Sequence, residues 1–482
     1  MLNIFTIFWG IYIIRKISKF AVKRISKTMK KYKPNRFAYG VGNLGYSVIS
    51  QTITNFFMFF GTSVLKLSGV LVGLAIAIST FWDGFTDPFV GYLSDRYELF
   101  GMGHRRGYML FATLGMSAVN IAIWFVPLES NTAIKFLWIT LGLLSIETFN
   151  TFYSTPYMAL GTDISGSYND RTRIQASKTA FFLIGMIIPS VLLYLFLPST
   201  SEYPVGQLNP YGYRYMSVVT SIICVISGLV CVIFTRQNRK LNVESSKFSF
   251  RDMFGEFVGV VKIKPLATII FGYSVVMLSA VILTSVGMHF FTYCFDLNSS
   301  QITILLSALL VGTLISQPIW YYASVVRTKK SALLGGIFVA VVGVFLIITI
   351  FLLRFRLGES TYWCIMLAIF VSGIGSGALY TLPCSMYSDA IHRVNRLTKV
   401  DRTATYSGVM TFTSNFFNCI LQLLVGVMLD IIKFDPNRYE QSLSVQTGLA
   451  IILFVGIQVS LITGYYVFSK YSGRSPIKTP HK

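Results

Sequence analysis

The chain has 482 residues, 54% of them hydrophobic and 12% charged, with a mean hydropathy of +0.62 and a formal net charge of +22. A soluble domain carries about a quarter charged residues, so this composition excludes an ordinary soluble enzyme and marks a polytopic membrane protein. The placement of the basic residues, all of them between apolar spans, argues against a nucleic-acid partner.

Residues 1–14 are apolar but too short to cross a bilayer. They lack a basic leader and a small-residue cleavage site, so no cleaved signal is expected. Ile17, Ala21, Ile25 and Met29 then form one stripe among lysines and arginines, the pattern of an interfacial amphipathic helix. Residues 1–36 form a basic amino-terminal segment.

Twelve apolar stretches of helical length follow, near 37–61, 68–93, 107–127, 134–160, 178–197, 213–235, 266–295, 301–325, 331–353, 361–388, 403–432 and 445–469. With the amino terminus inside, 34 of the 41 Lys and Arg residues fall on the inner side and 7 on the outer, and none lies deeper in a stretch than its second residue. This bias places both termini in the cytoplasm and turns the basic face toward anionic lipid. A plasma-membrane location is expected.

The second stretch holds two acids at membrane depth, in Phe81-Trp82-Asp83-Gly84-Phe85-Thr86-Asp87-Pro88. An intramembrane carboxylate is expensive and marks function. Four residues apart, Asp83 and Asp87 share a helix face. Two carboxylates this close in a low dielectric do not both stay ionised without a cation between them. The pair therefore predicts a cation site, Na⁺ or H⁺, and ion-coupled transport. Pro88 lacks an N–H and leaves the Gly84 carbonyl as a further oxygen. Glu147 in span 4 adds a third acid, one turn before Thr151 and on its face.

Span 4 ends in Thr155-Pro156-Tyr157, followed by Asp163 and Asp170-Arg171-Thr172. Span 10 ends in Leu382-Pro383-Cys384, followed by Asp389 and Asp401-Arg402-Thr403. Pro88 with the basic turn 104–106 is matched by Pro318 with Arg327, Lys329 and Lys330. The repeat predicts an all-α membrane protein of twelve transmembrane helices in two pseudo-symmetric six-helix bundles, the major facilitator architecture. The bundles are 37–235 and 265–470, joined by a cytoplasmic loop at 236–264 and followed by a tail at 471–482. A short surface helix and a plain tether both suit the loop and its four phenylalanines. The six cysteines form no CxxC pair and the four histidines no metal-ligand spacing. His289 reads as a packed core residue. No P-loop or nucleophile constellation is present, so no enzyme and no cofactor are expected.

Trp82-Asp83-x-x-x-Asp87-Pro88, Gly91-Tyr92-Leu93-Ser94-Asp95-Arg96 and Gly103-His104-Arg105-Arg106 resemble the melibiose-permease type, the glycoside–pentoside–hexuronide:cation symporters. Tyr39-Gly40-x-Gly42-x-x-Gly45, Pro156-Tyr157-x-Ala159-Leu160 and Tyr168-Asn169-Asp170-Arg171-Thr172-Arg173 extend the likeness. The resemblance implies a cation held by Asp83, Asp87, Thr86 and Thr151, and Na⁺ is possible at the pair. Glu147 departs from the pattern, as a further cation ligand or a titrating group. Asp95, Arg96, Arg105 and Arg106 resemble the gating segment.

The family's charged sugar clamp aligns here with Ser47, Ser154, Thr179, and Ser414 or Asn415, with Lys178 at the membrane edge. Asn43, Tyr46, Gln51, Asn150, Tyr153, Ser154 and Asn415 are then the candidate solute ligands, with Trp320, Tyr380, Asn418 and Gln422 further off. Aromatic faces with amides suit an uncharged polar solute such as a sugar or glycoside. They also suit an amphiphile, and lysolipid carriers share this scaffold. The resulting expectation is a monomeric cation-coupled symporter contacting solute and lipid. A lysolipid carrier, a cation antiporter and, more remotely, a sensor or scramblase are the alternatives.

Overall fold

In the computed structural model of the chain, residues 35–164, 168–235, 259–398 and 403–472 are described. The expected amphipathic segment at 15–33, most of the 236–264 loop and most of the tail lie outside them. The described chain holds twelve long helices. The first half comprises α1 (Arg36–Phe59), α2 (Gly69–Arg96), α3 (Arg106–Trp124), α4 (Thr132–Asp163), α5 (Tyr168–Phe196) and α6 (Pro210–Phe234). The second comprises α7 (Lys264–Phe295), α8 (Ser299–Val326), α9 (Lys329–Leu357), α10 (Ser360–Thr398), α11 (Thr403–Ile431) and α12 (Leu443–Ser469). All but α1 are long and apolar enough to cross a membrane. Small and polar residues such as Gly40, Gly42, Asn43 and Gly45 lower the hydropathy of α1.

Local signals set the helix ends. The Asn35 side chain accepts from the Ala38 N–H at the start of α1. Asn209 does the same for Tyr211, with Pro210 pre-set for the first turn of α6. Asn298 and Gln301 close a reciprocal capping box on α8. Pro156, Pro189, Pro318 and Pro383 lie inside helices, where missing backbone bonds are tolerated because neighbouring helices pack against them.

Packing follows an approximate two-fold. In the first half α1 packs on α5 and α6, α2 on α4, and α3 on α4 and α6. In the second half α7 packs on α11 and α12, α8 on α10, and α9 on α10 and α12. Every pair recurs with six added to each label. The halves meet along α1–α7, α2–α11 and α5–α8, which the same operation exchanges or maps onto itself.

Hydrogen bonds close one end of this interface. Thr62 and His289 bond at 2.7 Å between α1's final π-helical turn and α7. Gln207 donates to the Leu297 carbonyl at 2.8 Å, Thr303 to that of Ser190 at 2.8 Å, and Ser299 to that of Leu197. Asp430 of α11 accepts from the first two N–H groups of α2. His289 is fully buried and packed against Phe59 and Phe434, as expected for a core histidine.

Candidate cation site and solute cavity

Asp83 and Asp87 lie at mid-length on α2, half-buried and turned toward α4. Two hydroxyls meet them there, also four residues apart. Thr151 donates to Asp83 Oδ1 at 2.9 Å, and Thr155 to Asp87 Oδ1 at 3.3 Å. Each helix thus presents one oxygen-bearing side chain per turn in matching register. Thr86 donates to the backbone carbonyl of Asp83 at 3.1 Å, and its hydroxyl is 3.2 Å from that of Thr151. Thr86 and Thr151 are buried at 7% and 1% exposure, so their orientation is held by packing. One turn away Trp82 donates its indole N–H to Thr148 at 2.9 Å, fixing the α2–α4 register on the outer face.

The second half contributes one group. Asn415 of α11 donates from Nδ2 to Asp83 Oδ2 at 2.9 Å. Expected against the solute, Asn415 instead joins the carboxylate pair. Carboxylates, hydroxyls and an amide oxygen that a side-chain rotation presents are hard donors, suited to Na⁺. Glu147 is half-buried and accepts from Asn150 at 3.2 Å. Among the described residues no group of three His, Cys, Asp or Glu side chains is placed to hold a metal ion.

A cavity of about 350 Å³ opens next to this site, lined by Asn43, Tyr46, Ser154, Tyr157, Gln175, Lys178 and Thr179 with Met158 and Phe182. Asn43 is 3% exposed and donates to the Lys178 carbonyl at 3.1 Å, tying α1 to α5 on the cavity wall. Lys178, expected at the membrane edge, lies on α5, which begins ten residues earlier at Tyr168. Its ammonium is 5.7 Å from the Tyr157 ring centroid.

Other expected ligands fall elsewhere. Tyr153 is 1% exposed and donates to the Gly42 carbonyl at 2.6 Å, so it packs α4 on α1 rather than facing the cavity. It belongs to a ring stack in which Tyr46 and Tyr153 lie 6.1 Å apart, Tyr153 and Tyr157 5.6 Å, and Tyr157 and Tyr39 4.3 Å. Trp320 donates to the Ile374 carbonyl, and Gln422 accepts from Ser285; both are helix glue. Gln51 is half-buried on α1, outside the cavity lining.

In the expected gating segment Arg105 donates to Ser94 at 3.0 Å and Arg106 to the Val232 carbonyl at 2.6 Å. Arg96 lies in the last turn of α2. The side chain of Asp95 lies outside the described residues. In the second half Lys329, at the start of α9, and Asp389, within α10, pair at 2.6 Å.

Among relatives, an uncharacterized symporter of Synechocystis sp. is 28% identical over 188 residues, which are 38% of this chain and 34% of that protein. The sodium-dependent lysophosphatidylcholine symporter 1 of Mus musculus is 22% identical over 464 residues, covering 91% of this chain and 85% of that protein. Among solved structures, a bacterial homologue of the iron transporter ferroportin in an inward-facing state superposes with a TM-score of 0.63 at 14% identity, covering 91% of this chain and 98% of that one. That likeness shows a shared fold. The model of the family described as MFS/sugar transport protein matches residues 38–472, nearly the whole chain, and the chain belongs to that family.

Proposed function

We propose that the chain is a sodium-coupled symporter in which Asp83, Asp87, Thr86, Thr151 and Thr155 hold the ion and the adjoining cavity holds the solute. The observation that carries this reading is the matched pair of ladders: two carboxylates on α2 facing two hydroxyls on α4, with Asn415 of the other half bonded to the first carboxylate. Sodium offsets one of the pair's two negative charges and adds an ionic bridge to the α4 hydroxyls. It also competes for the Asp83 oxygen that Asn415 holds. Ion occupancy thereby alters a contact between the halves, which is what coupling requires. The basic-residue bias favours an orientation with the hydrogen-bonded end outside and both termini in the cytoplasm.

The cavity favours a solute with an anionic head group and an apolar body. Lys178 supplies the cation, Asn43, Ser154 and Thr179 supply hydrogen bonds, and Met158 and Phe182 supply apolar wall. A lysophospholipid has this chemistry, and the full-length relative carries that class by name. The volume accommodates the head group and leaves the acyl chain to extend beyond it. A glycoside is the second reading, favoured by the exposed face of Tyr46 at the end of the tyrosine stack.

A thermal-shift comparison of lysophosphatidylcholine and neutral disaccharides, each in sodium and in choline salt, separates the two. Stabilisation by the lysophospholipid that is larger in sodium and lost in Lys178→Met supports the first reading. Stabilisation by a disaccharide alone, retained in Lys178→Met, moves the assignment to the second. No sodium dependence with any ligand sinks the symporter.

A further inference from the structure

A carboxylate in the closed end of the interface, Asp430, sits where its own helix disfavours it. Asp430 lies in the last turn of α11, where the carbonyl end of the helix dipole repels negative charge. It is compensated from the other half of the molecule. Its Oδ1 accepts from the Gly69 N–H at 2.6 Å and its Oδ2 from the Val70 N–H at 3.0 Å. These are the first two residues of α2, and the Ser68 hydroxyl accepts from Leu71 to complete the cap. The amino-terminal end of α2 thus draws two of its donors' partners from a different bundle.

Glycines let the helices come this close. A Cβ on Gly426 would sit 2.1 Å from the Gly69 carbonyl oxygen, and one on Gly73 would sit 2.6 Å from that of Gln422. The seam is therefore backbone against backbone, and it has a charge at its outer edge.

We propose that Asp430 is an electrostatic latch that holds this end of the carrier shut. While the halves are docked, the carboxylate neutralises the positive end of α2. When they part, α2 loses two cap acceptors and Asp430 is left at the unfavourable end of α11. Both effects favour closure, and a neutral amide in place of the carboxylate keeps one acceptor but removes the charge and the other. The same helix pair meets again at Asp83 and Asn415, so α11 grips α2 at its tip and at the carboxylate pair. The latch is indifferent to which solute or ion is carried, so its failure would leave the symporter reading standing.

The test is a pulsed electron–electron distance measurement between spin labels on the two loops that flank the seam. Labels replace Lys66 and Lys433, both exposed, in a chain cleared of native cysteines and held in lipid nanodiscs. Asp430→Asn is expected to enlarge the long-distance population about three- to tenfold over the parent, the range that a helix-terminal charge and its cap command. Val70→Pro deletes one donor at a position where a helix tolerates proline, and is expected to shift the population the same way. Gly426→Ala, which wedges the backbones apart, shows that the labels report opening. Unchanged distances in both Asp430→Asn and Val70→Pro overturn the latch. If Gly426→Ala leaves them unchanged as well, this seam is not the closure and the latch falls with it.

Discussion

Thr151 and Thr155 are the residues on which the ion reading is most exposed to test. Each hydroxyl touches one carboxylate oxygen. Replacing either by valine keeps the shape and removes the oxygen. We expect the sodium concentration for half-maximal activation to rise roughly tenfold for Thr151→Val, the lower end of what a lost supporting ligand costs a metal-ion site. Asp83→Asn and Asp87→Asn are expected to insert normally and to abolish ion-dependent uptake, as read by transport in proteoliposomes. The acids were legible in the sequence because two charges inside an apolar run have no structural excuse. Thr155 and Asn415 were not, because hydroxyls and amides are ordinary glue between membrane helices. The four-residue spacing that Thr151 and Thr155 share with the two acids was the signal available for Thr155. Tyr153 failed in the opposite direction: an aromatic polar side chain beside a site reads as a ligand until its hydroxyl is seen to hold the backbone of Gly42.

At the scale of the helices, hydropathy located most ends closely, and it failed at two places for one reason. The start of α5 and the end of α10 each run about ten residues beyond the apolar stretch. Helix formation follows backbone hydrogen bonding, whereas hydropathy reports only the lipid-facing part. Close packing of α1 on α6 offers a test of the helical framework. The Gly45 N–H donates to Ser227, and a Cβ at Gly45 would lie 2.4 Å from the Cys224 Cα. Backbone cannot yield as a side chain does, so Gly45→Ala is expected to cost about 1–3 kcal/mol and to lower the thermal midpoint. An unchanged midpoint would mean that α1 and α6 are less closely packed than this. The repeated proline at 156 and 383 was legible as a repeat because both sit in equivalent helices, α4 and α10.

For the whole molecule, the proposed symport has ion and solute act on one equilibrium between the two bundles, whose shared contacts run along α1–α7, α2–α11 and α5–α8. Reciprocity follows from linkage: the factor by which sodium tightens solute binding equals the factor by which solute tightens sodium binding. A factor of one in both directions, measured on the purified protein at equilibrium, would mean that the two do not share a single conformational change. The two-fold was legible from three pairs of matching motifs, but the closed end was not, because it is built of caps and backbone contacts between residues far apart in sequence. The central claim is that the α2 acids capture sodium. Equilibrium binding of radioactive sodium to the purified protein tests it most directly, comparing the parent with the Asp83→Asn/Asp87→Asn double variant. Saturable binding to the parent that disappears in a correctly folded double variant is the predicted result. Equal binding to both, or no saturable binding to the parent, would contradict the account.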